Sequence, residues 1–201
     1  MPEDHPDVRI LERTRAFQGY FAVGRYRLRY RRHDGQWSPE LTREVFERGH
    51  AVAVLPYDPV RDAVVLIEQF RIGAHVAGRA AWLIEVVAGI AGPGEDNDSV
   101  ARRETLEETG LAVSDLVAGP DYLVSPGGSS ESVALFCGRV DSSQALPFAG
   151  QADEGEDIRV FVEPANQAIA RLHAGTLSNA FTIIALGWFE REREQLRRIW
   201  S

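Results

Sequence analysis

The chain has 201 residues, of which 44% are hydrophobic and 26% are charged, and its formal net charge is −8. This length and composition predict one globular domain, alone or with an extension, and the acidic balance argues against general nucleic-acid binding. The apolar runs are interrupted by charge or proline before they are long enough to span a membrane.

The first residues, MPEDHPDVRI, carry neither the basic nor the apolar segment of a secretory signal. Cys137 is the single cysteine, which excludes an internal disulfide and fits a reducing compartment. We therefore expect a cytoplasmic protein that contacts neither membrane nor nucleic acid, with Cys137 as a small buried hydrophobic residue.

The first predicted element is a strand in which arginines alternate with tyrosine and leucine, the period of a half-buried strand. The arginines are Arg25, Arg27, Arg29 and Arg31. Asp34 and Gly35 follow as a hairpin turn. We interpret the arginine face as a solvated or dimer-facing surface; contact with phosphate or RNA is the alternative, and no nucleic-acid motif supports it.

Further strands are predicted for segments that are rich in Val, Ile, Leu and aromatic residues and that have turn residues at both ends. They are residues 51–56, 63–70, 82–88, 121–125, 132–140 and 158–162. Helices are predicted at residues 164–172 and 179–200, the second with an apolar first half and a charged end. This alternation of short strands and helices indicates an α/β (α+β) fold.

Residues 89–111, GIAGPGEDNDSVARRETLEETGL, carry the most chemical information. Asp98 is predicted to cap a helix over residues 99–109, and Gly110 is predicted to end it in the left-handed conformation. Residues three or four apart are neighbours on a helix, so three carboxylates share one face. They are Glu104, Glu107 and Glu108. Val100 and Leu106 lie on other sides and are predicted to face a core.

Crowded carboxylates favour a bound cation, since each like-charge pair at this spacing costs roughly 0.2–0.5 kcal/mol. Oxygen ligands without Cys or His suit Mg²⁺ or Mn²⁺, and Mg²⁺ often completes its shell with substrate phosphates. A polyphosphate ester is the indicated substrate. The alternative is an ordinary solvated helix face. The preceding glycine-rich turn, which can aim carbonyl oxygens at an ion, favours the metal site, as does the expected pair between Glu95 and Arg103.

These residues resemble the Nudix box, G-x5-E-x7-R-E-U-x-E-E-x-G-U, where U is aliphatic. The matching positions are Gly89, Glu95, Arg103, Glu104, Glu107, Glu108, Gly110 and Leu111. Thr105 departs from the pattern at the first U position; its methyl group can pack, but its hydroxyl needs a partner. The resemblance implies the Nudix α/β/α sandwich around a mixed sheet over residues 49–201, preceded by an N-terminal strand region, residues 1–48, for dimerisation and substrate contacts.

A second resemblance concerns the substrate. Pro126 lies fifteen residues after Leu111, where a proline marks the ADP-ribose pyrophosphatase subfamily. The passages REVFERGHAVAVLPYDPVRDAVVLIEQFRI, LVSPGGSSES and GQADEGEDIRV are also similar to bacterial members of that subfamily. Pro126 by itself would indicate only a turn.

The subfamily resemblance assigns the catalytic and metal-binding roles. It implies that Glu154 is the general base and that the metal ligands are Glu104, Glu108, Glu156 and the carbonyl oxygen of Ala88. Glu107 ranks lower, as an occasional or indirect ligand. The implied cofactor is Mg²⁺, with Mn²⁺ possible, at two or three ions per site.

Substrate contacts follow from the same resemblance. It implies that Arg71 binds the diphosphate, that Tyr20 and Phe21 hold the adenine, and that Glu131 lies near the terminal ribose. The remaining implied contacts are Arg43, Glu44, Arg48, Ile90, Ser125, Pro126 and Gly127. Arg43 and Glu44 come from the partner subunit of a homodimer. Tyr20 departs from the phenylalanine expected in related enzymes.

The expected activity is cleavage of ADP-ribose to AMP and ribose 5-phosphate. Two kinds of alternative remain. Another substrate of the same fold could be cut, such as GDP-mannose, a different nucleoside diphosphate sugar or a diadenosine polyphosphate, the last disfavoured by Pro126. A non-catalytic ADP-ribose-binding regulator should carry a degraded box and a DNA-binding domain, and the sequence contains neither.

Overall fold

A computed structural model of the protein describes residues 5–151 and 155–200. The strands are β1 Val8–Gln18, β2 Ala22–Tyr30, β3 Leu41–Glu47, β4 His50–Asp58, β5 Ala63–Phe70, β6 Trp82–Glu85, β7 Val87–Ile90, β8 Asp115–Leu123, β9 Ser132–Arg139, β10 Phe148–Ala149 and β11 Ile158–Pro164. The α-helices are α1 Ile72–Val76, α2 Asn97–Thr109, α3 Ala165–His173 and α4 Ala180–Trp200. The chain forms two compact units, residues 1–49 with 123–132 and residues 50–122 with 133–201.

The first unit is built on an antiparallel sheet in the order β1-β2-β3. The predicted arginine strand is β2, and Gly35 has a φ of 79° in the predicted turn. Two of its arginines pair with carboxylates along the sheet, Arg25 with Glu44 at 2.8 Å and Arg27 with Glu12 at 2.8 Å. Exposed pairs of this kind add little stability. The arginine face is exposed in the single chain, which fits the solvated or dimer-facing surface that the sequence predicts.

The second unit is built on an eight-stranded sheet with the path β10-β11-β5-β4-β9-β8, to which β6 adds on β5 and β7 on β4. The ends of β4 and β9 meet where the amide of Val140 donates to the carbonyl oxygen of Tyr57. Those two strands therefore run in the same direction, whereas β5 and β11 are antiparallel. The sheet is mixed, as the sequence predicted.

Helices cover both faces of this sheet, and β4 is therefore buried on both sides. Val52 and Val54 join the core cluster that contains Val100 of α2. Tyr57, whose odd spacing from Val54 puts it on the opposite face, packs against Phe189 of α4 with ring centroids 4.9 Å apart. The arrangement is the predicted three-layer sandwich. None of the helices in residues 5–151 and 155–200 is long and apolar enough to cross a membrane.

Helix α2 differs from its prediction at the start and on one face. It begins at Asn97, and Asp96 caps it by accepting a hydrogen bond from the amide of Ser99, so the predicted cap at Asp98 is wrong by two residues. Leu106 is 54% exposed, because the buried residues of α2 follow the spacing of Val100 and leave Leu106 on the opposite side. Thr105 is buried, and its hydroxyl donates to the Ala101 carbonyl oxygen at 2.7 Å.

Two strand boundaries also differ from the prediction. The predicted strand 82–88 is interrupted at Val86, whose amide donates to the Thr182 hydroxyl at 3.1 Å; β6 then pairs with β5 and β7 with β4. Strand β8 begins at Asp115, six residues before the predicted start. Its Pro120 is compatible with a strand because β8 lies at the edge of the sheet, where a missing N–H breaks no ladder bond.

Asp58 at the end of β4 is predicted to stabilise the fold in a pH-dependent manner. Burial alone would raise its pKa, but hydrogen bonds from Arg61 and Ser142 lower the pKa to about 2. The ionised Asp58 carboxylate therefore contributes about 2 kcal/mol to the free energy of unfolding. This contribution is present above the unfolded pKa near 4 and is lost as the pH falls towards 2. Asp58→Asn should therefore lower the melting temperature by roughly 4–8 °C at pH 7.

Thermal unfolding at pH 7 and at pH 3 tests this expectation. The difference in melting temperature between wild type and Asp58→Asn should narrow at the lower pH, because Asp58 of the unfolded wild-type chain then takes up a proton while the folded protein still holds it ionised. Asp115→Asn is the matched control, since Asp115 is exposed and its pair with Arg139 spans 3.6 Å. A gap that does not change with pH would contradict the role of the Asp58 charge.

Candidate active site

The predicted metal-binding glutamates lie on the side of α2 that faces β7. Glu108 is only 3% exposed, and its Oε2 accepts a hydrogen bond from the backbone amide of Ala88 at 3.2 Å. Glu104 lies one turn earlier on the same face, as the i, i+4 spacing predicted. The structure thus brings both carboxylates to Ala88, the residue whose carbonyl oxygen was predicted as a backbone ligand.

Burial and like charge make the ionised forms of these carboxylates unfavourable. The pKa of Glu108 is raised well above its usual range, first by burial and then by the charges of Glu104 and Glu156. Burial also raises the pKa of Glu104, although Arg103 opposes the shift. A bound cation would offset the repulsion between these carboxylates and would favour their ionised forms.

Arg103 ties the loop before α2 to the acidic helix face. Its guanidinium contacts Glu95 at 3.2 Å, Glu104 at 2.7 Å and Glu107 at 3.1 Å. The predicted pair between Glu95 and Arg103 is therefore present, and Glu95 also accepts from the amide of Gly92. This network fixes the loop against the helix.

Gly89 lies where β7 approaches α2 closely. A Cβ atom at this position would overlap the carboxyl group of Glu104. A larger residue would therefore push that carboxylate away from its place beside β7. This contact explains the first glycine of the box motif in physical terms.

Glu156 reaches the same region from the loop before β11. Its Oε1 accepts from the side-chain amide of Gln69 at 3.3 Å, and its Oε2 accepts from the backbone amide of Gln151 at 3.2 Å. Its charge contributes to the raised pKa of both Glu104 and Glu108. Glu154, the predicted general base, lies in residues 152–154, outside the described residues.

The donor set fits a hard divalent cation. Carboxylate and carbonyl oxygens are the ligands that Mg²⁺ and Mn²⁺ prefer, and the raised pKa values of Glu104 and Glu108 indicate charge that a cation would neutralise. Within residues 5–151 and 155–200, no three carboxylate, imidazole or thiol groups are already arranged around one point as a cage. Arg103 holds Glu104 and the Ala88 amide holds Glu108, so binding a cation requires these side chains to adjust.

Arg71 is oriented by a network that the sequence did not predict. Its guanidinium donates to Oε2 of Glu85 through Nη2 at 2.8 Å and through Nε at 3.1 Å. Glu85 is 2% exposed and also accepts from the side chain of Asn179 at 2.9 Å. The charges of Glu85, Glu108 and Glu156 raise the pKa of Arg71 against the opposing effect of burial. The sequence signal for Glu85 was a single charged residue within an apolar strand.

The predicted adenine-binding residues form an aromatic cluster in the first unit. The rings of Tyr20 and Phe21 lie 4.7 Å apart, edge to face, and Tyr20 is 88% exposed. Phe46, which the sequence analysis did not select, packs on Phe21 at 5.2 Å. The guanidinium of Arg48 lies over the ring of Phe21 at 4.5 Å and pairs with Glu131 at 3.1 Å.

The loop of Pro126 is joined to this cluster. The amides of Gly128 and Ser129 donate to the carbonyl oxygen of Ser125, so residues 125–128 form a turn with Pro126 at its second position. The turn binds β3 through Phe46, whose amide donates to the Gly128 carbonyl oxygen and whose carbonyl oxygen accepts from the amide of Ser130. Ser125, Pro126 and Gly127 are all exposed.

The remaining predicted substrate contacts lie on β3 and at the end of β7. Arg43 and Glu44 are exposed on β3, where Arg43 donates to the carbonyl oxygen of Thr42 and Glu44 pairs with Arg25. Ile90 is 40% exposed at the end of β7, opposite Ala51 of β4.

Comparison with known proteins agrees with this geometry. The chain is 45% identical over 195 residues to the ADP-ribose pyrophosphatase of Escherichia coli (strain K12), which covers 97% of this chain and 93% of that protein. It is 31% identical over 189 residues to the GDP-mannose pyrophosphatase of Pectobacterium atrosepticum, covering 90% of this chain and 96% of that protein. A crystal structure of an ADP compounds hydrolase is similar in fold, with a TM-score of 0.73 and 21% identity over 97% of this chain and 99% of that one.

The profile of the NUDIX domain matches residues 47–179, which is well over half of the chain. This span contains Glu104, Glu108 and Glu156 together with the residues that hydrogen-bond to them, which include Arg103, Ala88 and Gln69. The sequence motif, the three-layer fold and this match agree, and the protein belongs to the Nudix family.

Proposed function

We propose that the protein hydrolyses the diphosphate bond of ADP-ribose, with Mg²⁺ as cofactor, to give AMP and ribose 5-phosphate. The observation that carries the proposal is the buried carboxylate of Glu108, which lies one helical turn from Glu104, accepts from the Ala88 amide at 3.2 Å and interacts electrostatically with the cationic Arg71. Carboxylates that bind a cation and an arginine that binds phosphate are together what a diphosphate requires. The ADP-ribose pyrophosphatases among its relatives support this substrate.

The chain's own residues bind and orient the substrate at its diphosphate. Arg71 would contact the phosphate oxygens, and Glu85 would hold its guanidinium in place during binding. Glu104, Glu108, Glu156 and the Ala88 carbonyl oxygen would hold the divalent cations. Bound Mg²⁺ offsets phosphate charge and lowers the pKa of water. Two or three ions per site, and Mn²⁺ as a substitute, are part of this proposal.

Glu154 is proposed as the general base that takes the proton from the attacking water. This assignment rests on the resemblance of the loop to that of ADP-ribose pyrophosphatases. A carboxylate near a diphosphate suits the role, because a hard nucleophile must be deprotonated as it approaches an anionic phosphorus centre.

The aromatic cluster of the first unit is proposed to bind the nucleoside end. The exposed ring of Tyr20 offers a face for adenine, while Arg48 and Glu131 form a polar pair beside Phe21. The turn at residues 125–127 and Ile90 would line the pocket. The hydroxyl of Tyr20 adds a hydrogen-bonding group to the stacking surface.

The strongest alternative is another nucleoside diphosphate sugar. GDP-mannose is supported by a relative at 31% identity, which is weaker support than that for ADP-ribose. A diadenosine polyphosphate has the support of neither relative. A non-catalytic regulator is disfavoured because the box glutamates and Arg103 are intact.

A substrate panel in ¹⁸O-labelled water tests the proposed function. We expect ADP-ribose to be cleaved with higher kcat/KM than GDP-mannose or diadenosine polyphosphates, only with a divalent cation, and with EDTA abolishing turnover. Mass spectrometry then locates the label: label in AMP places attack on the adenosyl phosphorus, and label in ribose 5-phosphate places it on the other. No hydrolysis of ADP-ribose would overturn the assignment.

Glu85 is predicted to act on activity through Arg71. Glu85→Gln removes the charge that orients the guanidinium, so kcat/KM should fall roughly 10–100-fold, mostly through KM. Glu68→Gln is the matched control, because Glu68 is a more exposed strand carboxylate that pairs with Arg159 at 3.0 Å. Equal kcat/KM in Glu85→Gln and wild type would contradict the positioning role.

A homodimer with a shared site is also proposed, with Arg43 and Glu44 reaching the partner's substrate. Mixing Arg43→Ala with Glu154→Gln should restore about one quarter of wild-type turnover after subunit exchange, because half of the dimers are mixed and each has one intact site. If Arg43 serves its own subunit, mixing restores nothing. Sedimentation of the separate variants is the control that both still form dimers.

A cytoplasmic location without nucleic-acid or membrane partners remains our prediction. The net charge of −8 and the single buried Cys137 support it.

A further inference from the structure

Gln69 is a buried polar residue near the end of β5. It is 5% exposed. Its Nε2 donates to Oε1 of Glu156 at 3.3 Å. Its own Oε1 is buried and has no hydrogen-bond partner among the residues that the structure describes.

The surrounding strands hold the Gln69 backbone in place. Gln69 pairs in register with Ile158 of β11 and with Leu83 of β6. Ile67, two residues earlier and on the same face of β5, belongs to the core cluster that includes Val100 of α2. Gln69 therefore points towards the side of the sheet on which α2 carries its acidic residues.

The orientation of the amide follows from the hydrogen-bonding capacity of its neighbour. An ionised carboxylate only accepts hydrogen bonds, so Nε2 must face Glu156 and Oε1 must point away from it. Oε1 is then an acceptor in a region whose other side chains, Glu104 and Glu108, are also acceptors when ionised. A buried acceptor that lacks a donor is costly unless a ligand supplies one.

A hydrated divalent cation supplies what this acceptor lacks. Mg²⁺ and Mn²⁺ keep several waters when carboxylates bind them, and those waters donate hydrogen bonds to nearby oxygen atoms. Gln69 donates to Glu156 at 3.3 Å, and Glu156 is one of the carboxylates proposed to hold the cation, so a cation bound by Glu156 would lie close to the Gln69 amide.

We propose that Gln69 is a positioning residue of the cation site, whose amide nitrogen orients Glu156 and whose amide oxygen accepts a hydrogen bond from the hydrated cation. This inference rests on the proposed metal dependence. It also predicts opposite effects on stability and on binding. Removing the amide deletes an unsatisfied buried acceptor together with the 3.3 Å hydrogen bond to Glu156. The gain from the first offsets the loss of the second, so the metal-free protein should not lose stability, whereas its affinity for the cation should fall.

The test is a Mn²⁺ titration of the substrate-free protein, followed by the electron paramagnetic resonance signal of free Mn²⁺. Gln69→Met, which keeps the length of the side chain, should weaken Mn²⁺ binding roughly tenfold, as loss of an outer hydrogen bond to a metal site commonly does. Its melting temperature in EDTA should equal or exceed that of wild type. Gln69→Leu repeats the test with a second apolar side chain.

Ile67→Val is the matched control on the same face of the same strand. It removes a methyl group from the core, so it should lower the melting temperature and leave Mn²⁺ affinity unchanged. Mn²⁺ affinity within twofold of wild type in both Gln69 variants would overturn the inference, as would a lower melting temperature without weaker binding. A wild-type protein that binds no Mn²⁺ would instead overturn the proposed metal site on which the inference depends.

Discussion

Replacing Glu108 by glutamine is expected to abolish nearly all turnover and to stabilise the metal-free protein. Glu108 is 3% exposed, and its charged form is disfavoured first by burial and then by Glu104 and Glu156. Glutamine keeps an oxygen that can accept from the Ala88 amide but carries no charge. Relief of the repulsion should raise the melting temperature in EDTA by roughly 2–4 °C, which corresponds to about 1 kcal/mol for a chain of this size.

The same substitution weakens the cation site. Transition-state stabilisation by a bound metal is worth several kcal/mol, and a loss of about 4 kcal/mol lowers turnover roughly 10³-fold. Steady-state kinetics with ADP-ribose and melting in EDTA measure the two effects. The gain in stability should shrink as the pH falls, because wild-type Glu108 then takes up a proton itself.

Glu194→Gln on the exposed side of α4 is the control for Glu108→Gln, because it removes the same charge from a solvated helix face. It should change neither turnover nor melting temperature appreciably. A destabilised Glu108→Gln apoprotein, or one with ordinary turnover, would contradict the assignment of Glu108 as a buried metal ligand.

Glu154→Gln should lower turnover roughly 10²–10⁴-fold, the usual contribution of a general base. Glutamine is nearly the same size and cannot take a proton from water, so cation binding and stability should change little. Single-turnover kinetics measure the loss in the chemical step, and a Mn²⁺ titration measures any change in cation binding. The loss should appear in kcat rather than in KM, because the proton is transferred only in the chemical step.

Asp157→Asn is the control, since Asp157 is exposed and lies next to Glu156, which is proposed as a metal ligand. Its turnover should stay within about threefold of wild type. Wild-type turnover in Glu154→Gln would remove Glu154 from the mechanism. A large loss of Mn²⁺ affinity in that variant would make Glu154 a metal ligand rather than the base.

The contacts within the Nudix box could be predicted from the sequence because they are local. Glu104 and Glu108 share a face of any α-helix, and Gly110 ends this one with a φ of 75°. Arg103 and Glu95 are eight residues apart and meet across one turn and one loop. The predicted helix cap was wrong because Asp96 and Asp98 are both good caps by type, and in the structure it is Asp96 whose side chain accepts from the amide of Ser99.

Long-range contacts explain what the sequence could not predict. Glu85 meets Asn179, 94 residues away, and Gln69 meets Glu156, 87 residues away. Arg48 and Glu131 are 83 residues apart, and Phe46 joins the aromatic cluster through the pairing of β3 with the Pro126 turn. Nothing in the local pattern of Gln69 or Phe46 distinguishes them from other strand residues.

The sequence by itself determined the family and predicted the acidic helix face and the class of chemistry, because those depend on spacings within one or two turns of a helix. Only the tertiary structure decided that Glu108 is buried with a raised pKa, that Glu85 pairs with Arg71, and that Gln69 donates its amide nitrogen to Glu156 while its amide oxygen is buried without a partner among the described residues. The physical reason is that pKa values and side-chain orientation depend on desolvation and on partners from distant strands, and these exist only once the chain has folded.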